Sequence, residues 1–122
     1  MYTLTTHHPG SMKSVITGTG IGIPKNAVRN DALARIMDTS DEWIRTRSGI
    51  EQRYYVDAGQ GSVELGVIAA QNAMVSAGVG TGDIDAVVFA TMTPNYYFPG
   101  NGPVLQARMG FPEIPTFNLR QQ

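Results

Sequence analysis

The sequence predicts an α/β fold in which helices cover a largely parallel sheet, and three observations carry that prediction. Segments with strand character alternate along the chain with segments that have helical spacing of apolar residues. The run AVVFA at 86–90 is apolar on both faces, which is typical of a central parallel strand covered by helices. After Ser62, apolar residues recur at helical spacing, and the alanines among them allow a helix to lie close to a sheet.

The start of the chain combines a predicted strand with a glycine-rich stretch. Residues 14–19, SVITGT, are β-branched and predict the first strand. GTGIGIP at 18–24 is superficially like a phosphate-binding turn, but the third glycine of G-x-G-x-x-G is missing, and Ile23 and Pro24 stand where a helix should open. We therefore favour a tight turn where two backbones approach closely, with a nucleotide-binding module as the weaker alternative.

Residues 38–50, DTSDEWIRTRSGI, are the most specific stretch of the chain. Thr39 and Glu42 form a T-x-x-E pattern, which predicts a capping box at a helix start. The helix would run over 40–47, and Gly49 stands where a left-handed residue ends a helix.

Trp43 and Arg47 are four residues apart on this predicted helix, so they share one face. A flat ring beside a guanidinium can hold a ligand that has an aromatic base and a phosphate. The alternative is a half-buried tryptophan with the arginine lying over it. Taken alone, the two residues favour packing, because such pairs are common without a ligand.

Shorter elements flank this stretch. Asn30 can cap a short helix whose Leu33, Ile36 and Met37 lie on one face. Residues 52–56, QRYYV, predict a short strand, and the polar residues at 57–61 predict a turn.

The long helix and the central strand come next. Ser62 is a good N-cap, Glu64 lies in the first turn, and Gly78 ends the helix. The predicted core stripe of this helix is Val63, Val67, Ala70, Met74 and Ala77. The strongest strand follows at 84–91. A long loop at 92–103 leaves its carboxyl end, where ligands tend to bind in open α/β sheets.

The last elements predict a helix and a strand. Pro103 suits the first position of a helix, and Gly110 would close it. The apolar residues of that helix are Val104, Leu105 and Met109. Residues 116–119 begin another strand. Because a parallel strand normally leads into a further helix, we expect residues 12–122 to be an incomplete part of a larger protein.

Composition excludes several classes of function. The chain has 122 residues, 42% of them apolar, a net charge of −1 and no run of basic residues, so a nucleic-acid or membrane-surface role lacks electrostatic support. We expect a soluble cytoplasmic protein, because neither a leader nor a membrane span is visible. There is no cysteine. His7 and His8 lie within 1–11, which we interpret as a tag or vector residue, and a metal-binding His pair there is the weaker alternative.

The ordered set GTGIGIP, DTSDEWIRTRSGI, EQRYY, DIDAVVFATMTP and FPG closely resembles the opening third of the β-ketoacyl-acyl carrier protein synthase III family, from about Met12 to Gln122. The resemblance implies the N-terminal portion of the first pseudo-repeat half of a thiolase-like layered α/β/α fold. It also implies a homodimeric acyltransferase that uses acyl-CoA as a substrate, without a tightly bound cofactor or a metal. The expected reaction is a decarboxylating Claisen condensation with a malonyl thioester on acyl carrier protein.

The resemblance also implies roles for particular residues. Trp43 matches the residue that stacks on the adenine of coenzyme A, Arg47 matches a contact to its phosphate-bearing part, and Thr39 matches a residue nearby. Phe98 matches a phenylalanine that reaches across the dimer into the partner's acyl pocket. The cysteine nucleophile is expected immediately after Gln122, so the catalytic set is absent from this chain.

Two departures from the family pattern bear on the substrate. Many family members have small residues where this chain has Arg120, Gln121 and Gln122, and a Ser-Ala-Ala-like run where it has GNGP at 100–103. These differences either reshape the acyl pocket or reflect family drift. Two alternatives therefore stay open beside the fatty-acid enzyme. One is a specialised acyltransferase of secondary metabolism or long-chain hydrocarbon synthesis, and the other is a non-catalytic thiolase-fold partner subunit.

Overall fold

The computed structural model of the protein describes residues 13–120. The interpretation of 1–11, with His7 and His8, and the expectations for Gln121 and Gln122 lie outside the described residues. The helices are α1 (Asn30–Leu33), α2 (Asp41–Ser48), α3 (Ser62–Ala77) and α4 (Asn101–Met109), with a 3-10 turn at Thr81–Asp83. The strands are β1 (Asn26–Arg29), β2 (Gln52–Tyr55), β3 (Val87–Ala90) and β4 (Thr116–Leu119).

The strands form two separate pairs within the described residues. β1 and β2 are antiparallel, with Asn26 opposite Tyr55. β3 and β4 are parallel, with Val87 opposite Thr116 and Ala90 opposite Leu119. The parallel pairing and the alternation of helices with strands are confirmed, whereas β1 was not predicted.

Residues 14–19 do not form the predicted first strand. They have no regular secondary structure and no ladder partner among the described residues. The glycines that follow lie against α3. A Cβ on Gly18 would be 2.5 Å from the Ala73 carbonyl oxygen, and Gly20 and Gly22 lie similarly close to successive turns toward the start of α3. Two extended residues rise about 6.6 Å and four helical residues about 6 Å, so alternate glycines match successive turns. The close backbone approach is confirmed, but the chain there is extended and does not turn.

The core lies between the parallel pair and helices α3 and α4. Val63, Val87 and Leu105 are buried there, and Phe89 contacts Gly66 from the same face of β3. The opposite face of the pair is not covered by described residues, and Val88, Phe117 and Leu119 are exposed on it. The prediction that the central strand is covered on both faces is therefore wrong for the described structure, which places helices on one side.

The sequence predicted the C-terminal ends of three helices correctly, but not their N-caps. Gly49, Gly78 and Gly110 end α2, α3 and α4 in the left-handed conformation, at φ of 70°, 69° and 66°, as predicted. The predicted N-caps of α1, α2 and α3 (Asn30, Thr39 and Ser62) were wrong, because each of these helices is capped by the residue next to the predicted one. Arg29, Ser40, Gly61 and Gly100 hold the N-cap positions. None of the helices within residues 13–120 combines the length and apolarity that crossing a membrane requires.

Candidate functional site

The N-cap of helix α2 is Ser40 and not Thr39 of the predicted capping box. The Ser40 hydroxyl accepts a hydrogen bond from the Trp43 amide at 3.1 Å. Asp41 and Glu42 lie in the first turn, where negative charge is favourable, and Arg45 and Arg47 lie in the last. Thr39 therefore precedes the cap, and its expected place near a ligand stays a prediction.

The predicted pairing of Trp43 and Arg47 is confirmed. The Arg47 guanidinium carbon lies 4.3 Å from the centroid of the Trp43 ring. Trp43 is 53% exposed, so a large part of its ring remains accessible to solvent or to a ligand. Arg47 forms no ion pair within residues 13–120. An exposed aromatic face beside an uncompensated cation suits a ligand with a base and a phosphate.

Carboxylates on and just after α2 pair with Arg45. Arg45 pairs with Asp41 at 3.6 Å and with Glu51 at 3.3 Å, so its charge is offset. A groove beside these residues is also lined by Glu42, Thr46 and Gly49. Because this groove contains three carboxylates, it disfavours an anionic ligand, and the Trp43 face is the better candidate for phosphate.

Asn30 holds α2 in place, a role that the sequence did not reveal. Its side chain is almost fully buried, and its amide nitrogen donates to Asp41 Oδ1 and to the Ile50 carbonyl, both at 2.8 Å. Arg53 Nη2 donates to Asn30 Oδ1 at 2.7 Å. The predicted cap of a helix is thus a link between the two ends of α2 and strand β2. Of the face predicted for that helix, only Leu33 is buried, whereas Ile36 and Met37 are exposed.

A second candidate region is the loop between β3 and α4, which carries Phe98. Asn101 is almost fully buried; its Oδ1 accepts from the Asn95 amide at 3.0 Å, and its Nδ2 donates to Ser62 Oγ at 2.8 Å. The Ser62 hydroxyl donates to the Thr93 carbonyl at 2.9 Å. The side chain predicted to cap α3 therefore fixes this loop, and Asn95 Oδ1 accepts from the Val63 amide instead.

Glu64 connects the start of α3 with the loop and with α4. Its carboxylate pairs with Arg108 and accepts from Asn95 Nδ2 at 2.9 Å and from the Gly61 amide at 2.7 Å. The Arg108 guanidinium contributes most to lowering the pKa of Glu64 from 4.5 to about 2, with smaller contributions from the Asn95 and Gly61 donors, and partial burial opposes them. Glu64 is thus ionised at neutral pH and acts as a structural anion.

Phe98 is 92% exposed at the tip of the loop, and a cis peptide bond joins it to Pro99. Gly100 follows with φ of 97°, and a Cβ there would lie 2.6 Å from Asn118 Nδ2. Pro103, predicted to begin α4, is its third residue. Phe98 therefore projects from the loop after β3, whereas Trp43 and Arg47 lie on α2. The expected reach of Phe98 across a dimer stays a prediction.

Comparisons with known proteins agree in both sequence and structure, although no protein-family model matches the chain. Over 106 residues the chain is 45% identical to β-ketoacyl-[acyl-carrier-protein] synthase III 3 of Streptomyces coelicolor, which covers 87% of this chain and 32% of that protein. The crystal structure of 3-oxoacyl-[acyl-carrier-protein] synthase III from Aquifex aeolicus superimposes with a TM-score of 0.82 at 34% identity, covering 87% of this chain and 34% of that one.

The priming β-ketosynthase of the R1128 polyketide biosynthetic pathway gives a TM-score of 0.82 at 29% identity, covering 93% of this chain and 35% of that chain. The chain thus spans about a third of the length of the relatives it matches. Within that third, it has the α/β fold of these thiolase-fold proteins.

Proposed function

Because most of this chain is homologous to one third of β-ketoacyl-acyl carrier protein synthase III, we propose that it forms the coenzyme A-binding part of an acyl-CoA-dependent condensing enzyme. The observation that carries this proposal is the 45% identity to the Streptomyces protein over 106 residues. The exposed Trp43 ring with Arg47 above it supports the binding role. Below, the longer protein that would contain this chain is called the full-length protein.

In this proposal Trp43 stacks on the adenine ring of coenzyme A, and Arg47 contacts the phosphates, with Thr39 nearby at the start of α2. Stacking uses the accessible face of the indole, and the free charge of Arg47 offsets a phosphate. Both residues lie on α2, which is held by the buried Asn30. The ligand would therefore meet a largely preformed surface, which lowers the entropic cost of binding.

The chemistry of the proposal requires a cysteine directly after Gln122. Its thiolate attacks the thioester carbonyl of acyl-CoA, the bond to the coenzyme A sulfur breaks, and the acyl group remains on the enzyme. A malonyl thioester on acyl carrier protein then loses CO2, and the resulting enolate carbon attacks the acyl group and releases the cysteine. Phe98 would line the acyl pocket of a partner in a homodimer.

A specialised acyltransferase of secondary metabolism is the second candidate. Similarity to a priming ketosynthase of a polyketide pathway favours it, as do the bulky Arg120 and the buried Asn101 beside the loop of Phe98. The two candidates share the same acyl-loading step. They differ in which acyl-CoA and which malonyl acceptor react fastest.

The proposal is tested by incubating the full-length protein with acyl-CoA of several chain lengths and malonyl-acyl carrier protein. We expect a 3-oxoacyl thioester and release of free coenzyme A. Preference for short straight-chain acyl groups supports the fatty-acid enzyme, and preference for unusual acyl groups supports the specialised one. If no acyl-CoA releases coenzyme A, both candidate enzyme functions are wrong. The alternative of a non-catalytic thiolase-fold partner subunit then remains.

A further inference from the structure

The loop that carries Phe98 is fixed at both ends and has one described tether near its tip. At its start, Asn95 is bonded to Asn101 and to the Val63 amide. At its end, Asn118 Nδ2 lies 3.4 Å from the Pro99 carbonyl oxygen, a long contact. Between these ends, within residues 13–120, the hydrogen bond to residues 96–98 comes from Arg120 alone.

Arg120 contacts this loop in two ways. Its Nη2 donates to the Tyr97 carbonyl at 2.8 Å, and its guanidinium carbon lies 5.2 Å from the centroid of the Tyr97 ring. The parallel pairing of β3 and β4 explains why Arg120 can contact this loop. The Thr91 amide donates to the Leu119 carbonyl at 3.1 Å, so the loop leaving β3 and the residue following β4 lie at one edge of the sheet.

We propose that Arg120 is a positioning residue that holds Tyr97 and thereby fixes the place of Phe98. A guanidinium suits this role because its fork can donate to a carbonyl while its flat face lies against an aromatic ring. Arg120 forms no ion pair within the described residues, so the carbonyl and the ring are its partners there. This inference rests on the proposed function in one respect: the place of Phe98 then determines which acyl chains the partner's pocket accepts.

The first test follows the loop directly and needs no activity. The full-length protein is labelled with 4-fluorophenylalanine at position 98, and its fluorine resonance is compared in wild type, Arg120→Ala, Arg120→Lys and Tyr97→Phe. For Arg120→Ala we expect the population ratio between the loop bound to residue 120 and the loop free of it to fall about fivefold, the size expected for the loss of one typical protein hydrogen bond.

The variants differ in what they retain. Arg120→Lys keeps a donor and should restore part of the ratio, whereas Tyr97→Phe keeps the carbonyl and a ring and should match wild type. Arg35→Ala, which removes an exposed arginine after α1, is the matched control. An unchanged resonance in a folded Arg120→Ala protein would overturn the proposal, and so would equal release in Arg120→Lys and Arg120→Ala.

The second test measures acyl selectivity. In Arg120→Ala we expect a changed KM for the preferred acyl-CoA. We also expect the ratio of transfer rates between short and long acyl chains to move about fivefold closer to one, with partial recovery in Arg120→Lys. An equal loss for every chain length would overturn the link between Arg120 and selectivity. If wild type transfers no acyl group, the proposed function fails, and the fluorine measurement still decides whether Arg120 holds the loop.

Discussion

Replacing Glu64 with glutamine removes one charge from the network that joins α3, α4 and the Phe98 loop. Glutamine keeps the shape and one acceptor oxygen, so the main loss is the ion pair with Arg108. The pKa of Glu64 near 2, against an ordinary value of 4.5, corresponds to at most about 3.4 kcal/mol. The Arg108 and Glu64 side chains are 41% and 22% exposed, and solvent screening reduces the expected loss to about 1–2 kcal/mol.

The loss should depend on pH with a defined sign. Because folding lowers the pKa of Glu64, its contribution to stability is fully present above pH 4.5 and is lost as the pH falls through about 2. In urea unfolding of the full-length protein at pH 7, Glu64→Gln should therefore have a lower free energy of unfolding than wild type. This difference in free energy should narrow progressively as the pH falls. A double-mutant cycle with Arg108→Gln should return a coupling of about 1 kcal/mol.

Arg45→Gln is the matched control, because it removes an arginine from ion pairs in which the side chains are more than half exposed. Its effect should stay within about 0.5 kcal/mol. A loss for Glu64→Gln no larger than that for Arg45→Gln would contradict a stabilising role of the Glu64–Arg108 ion pair. So would a difference in unfolding free energy from wild type that widens as the pH falls.

Three further changes test separate parts of the account. Trp43→Ala should weaken coenzyme A binding by about 1–3 kcal/mol in calorimetry, the range for stacking on a nucleobase, with Trp43→Phe between it and wild type; equal affinities would exclude stacking. Gly20→Ala should lower the free energy of unfolding by about 1–3 kcal/mol, because its Cβ would overlap α3, whereas Gly82→Ala, with open space around it, should be near neutral in the same urea titration. Asn101→Ala should cost about 1–3 kcal/mol by leaving the Asn95 amide without its acceptor; a loss no larger than that of Gly82→Ala would contradict this.

Features set by near neighbours in the chain could be predicted from the sequence. The left-handed glycines ended three helices as expected, and β4 occupies the predicted residues 116–119. The Trp43–Arg47 pair followed from helical spacing alone, because residues four apart share a face.

Features set by distant contacts could not be predicted. Residues 14–19 have strand composition, yet strand formation requires a neighbouring chain, and the described residues supply none. Asn30 and Ser62 are both residue types that favour N-cap positions. The side chain of each instead forms hydrogen bonds to a segment that is distant in the sequence. The Asn101 network has no local signal, because its partners are 6 and 39 positions away.

The central claim is that this chain belongs to an enzyme that takes an acyl group from coenzyme A, and the intact mass of the full-length protein tests it most directly. After incubation with acyl-CoA of several chain lengths, we expect the mass to rise by one acyl group per chain. Peptide mapping should place that group on a cysteine directly following Gln122, and hydroxylamine should remove it. An unchanged mass with every acyl-CoA, or a residue other than cysteine at that position, would contradict the account.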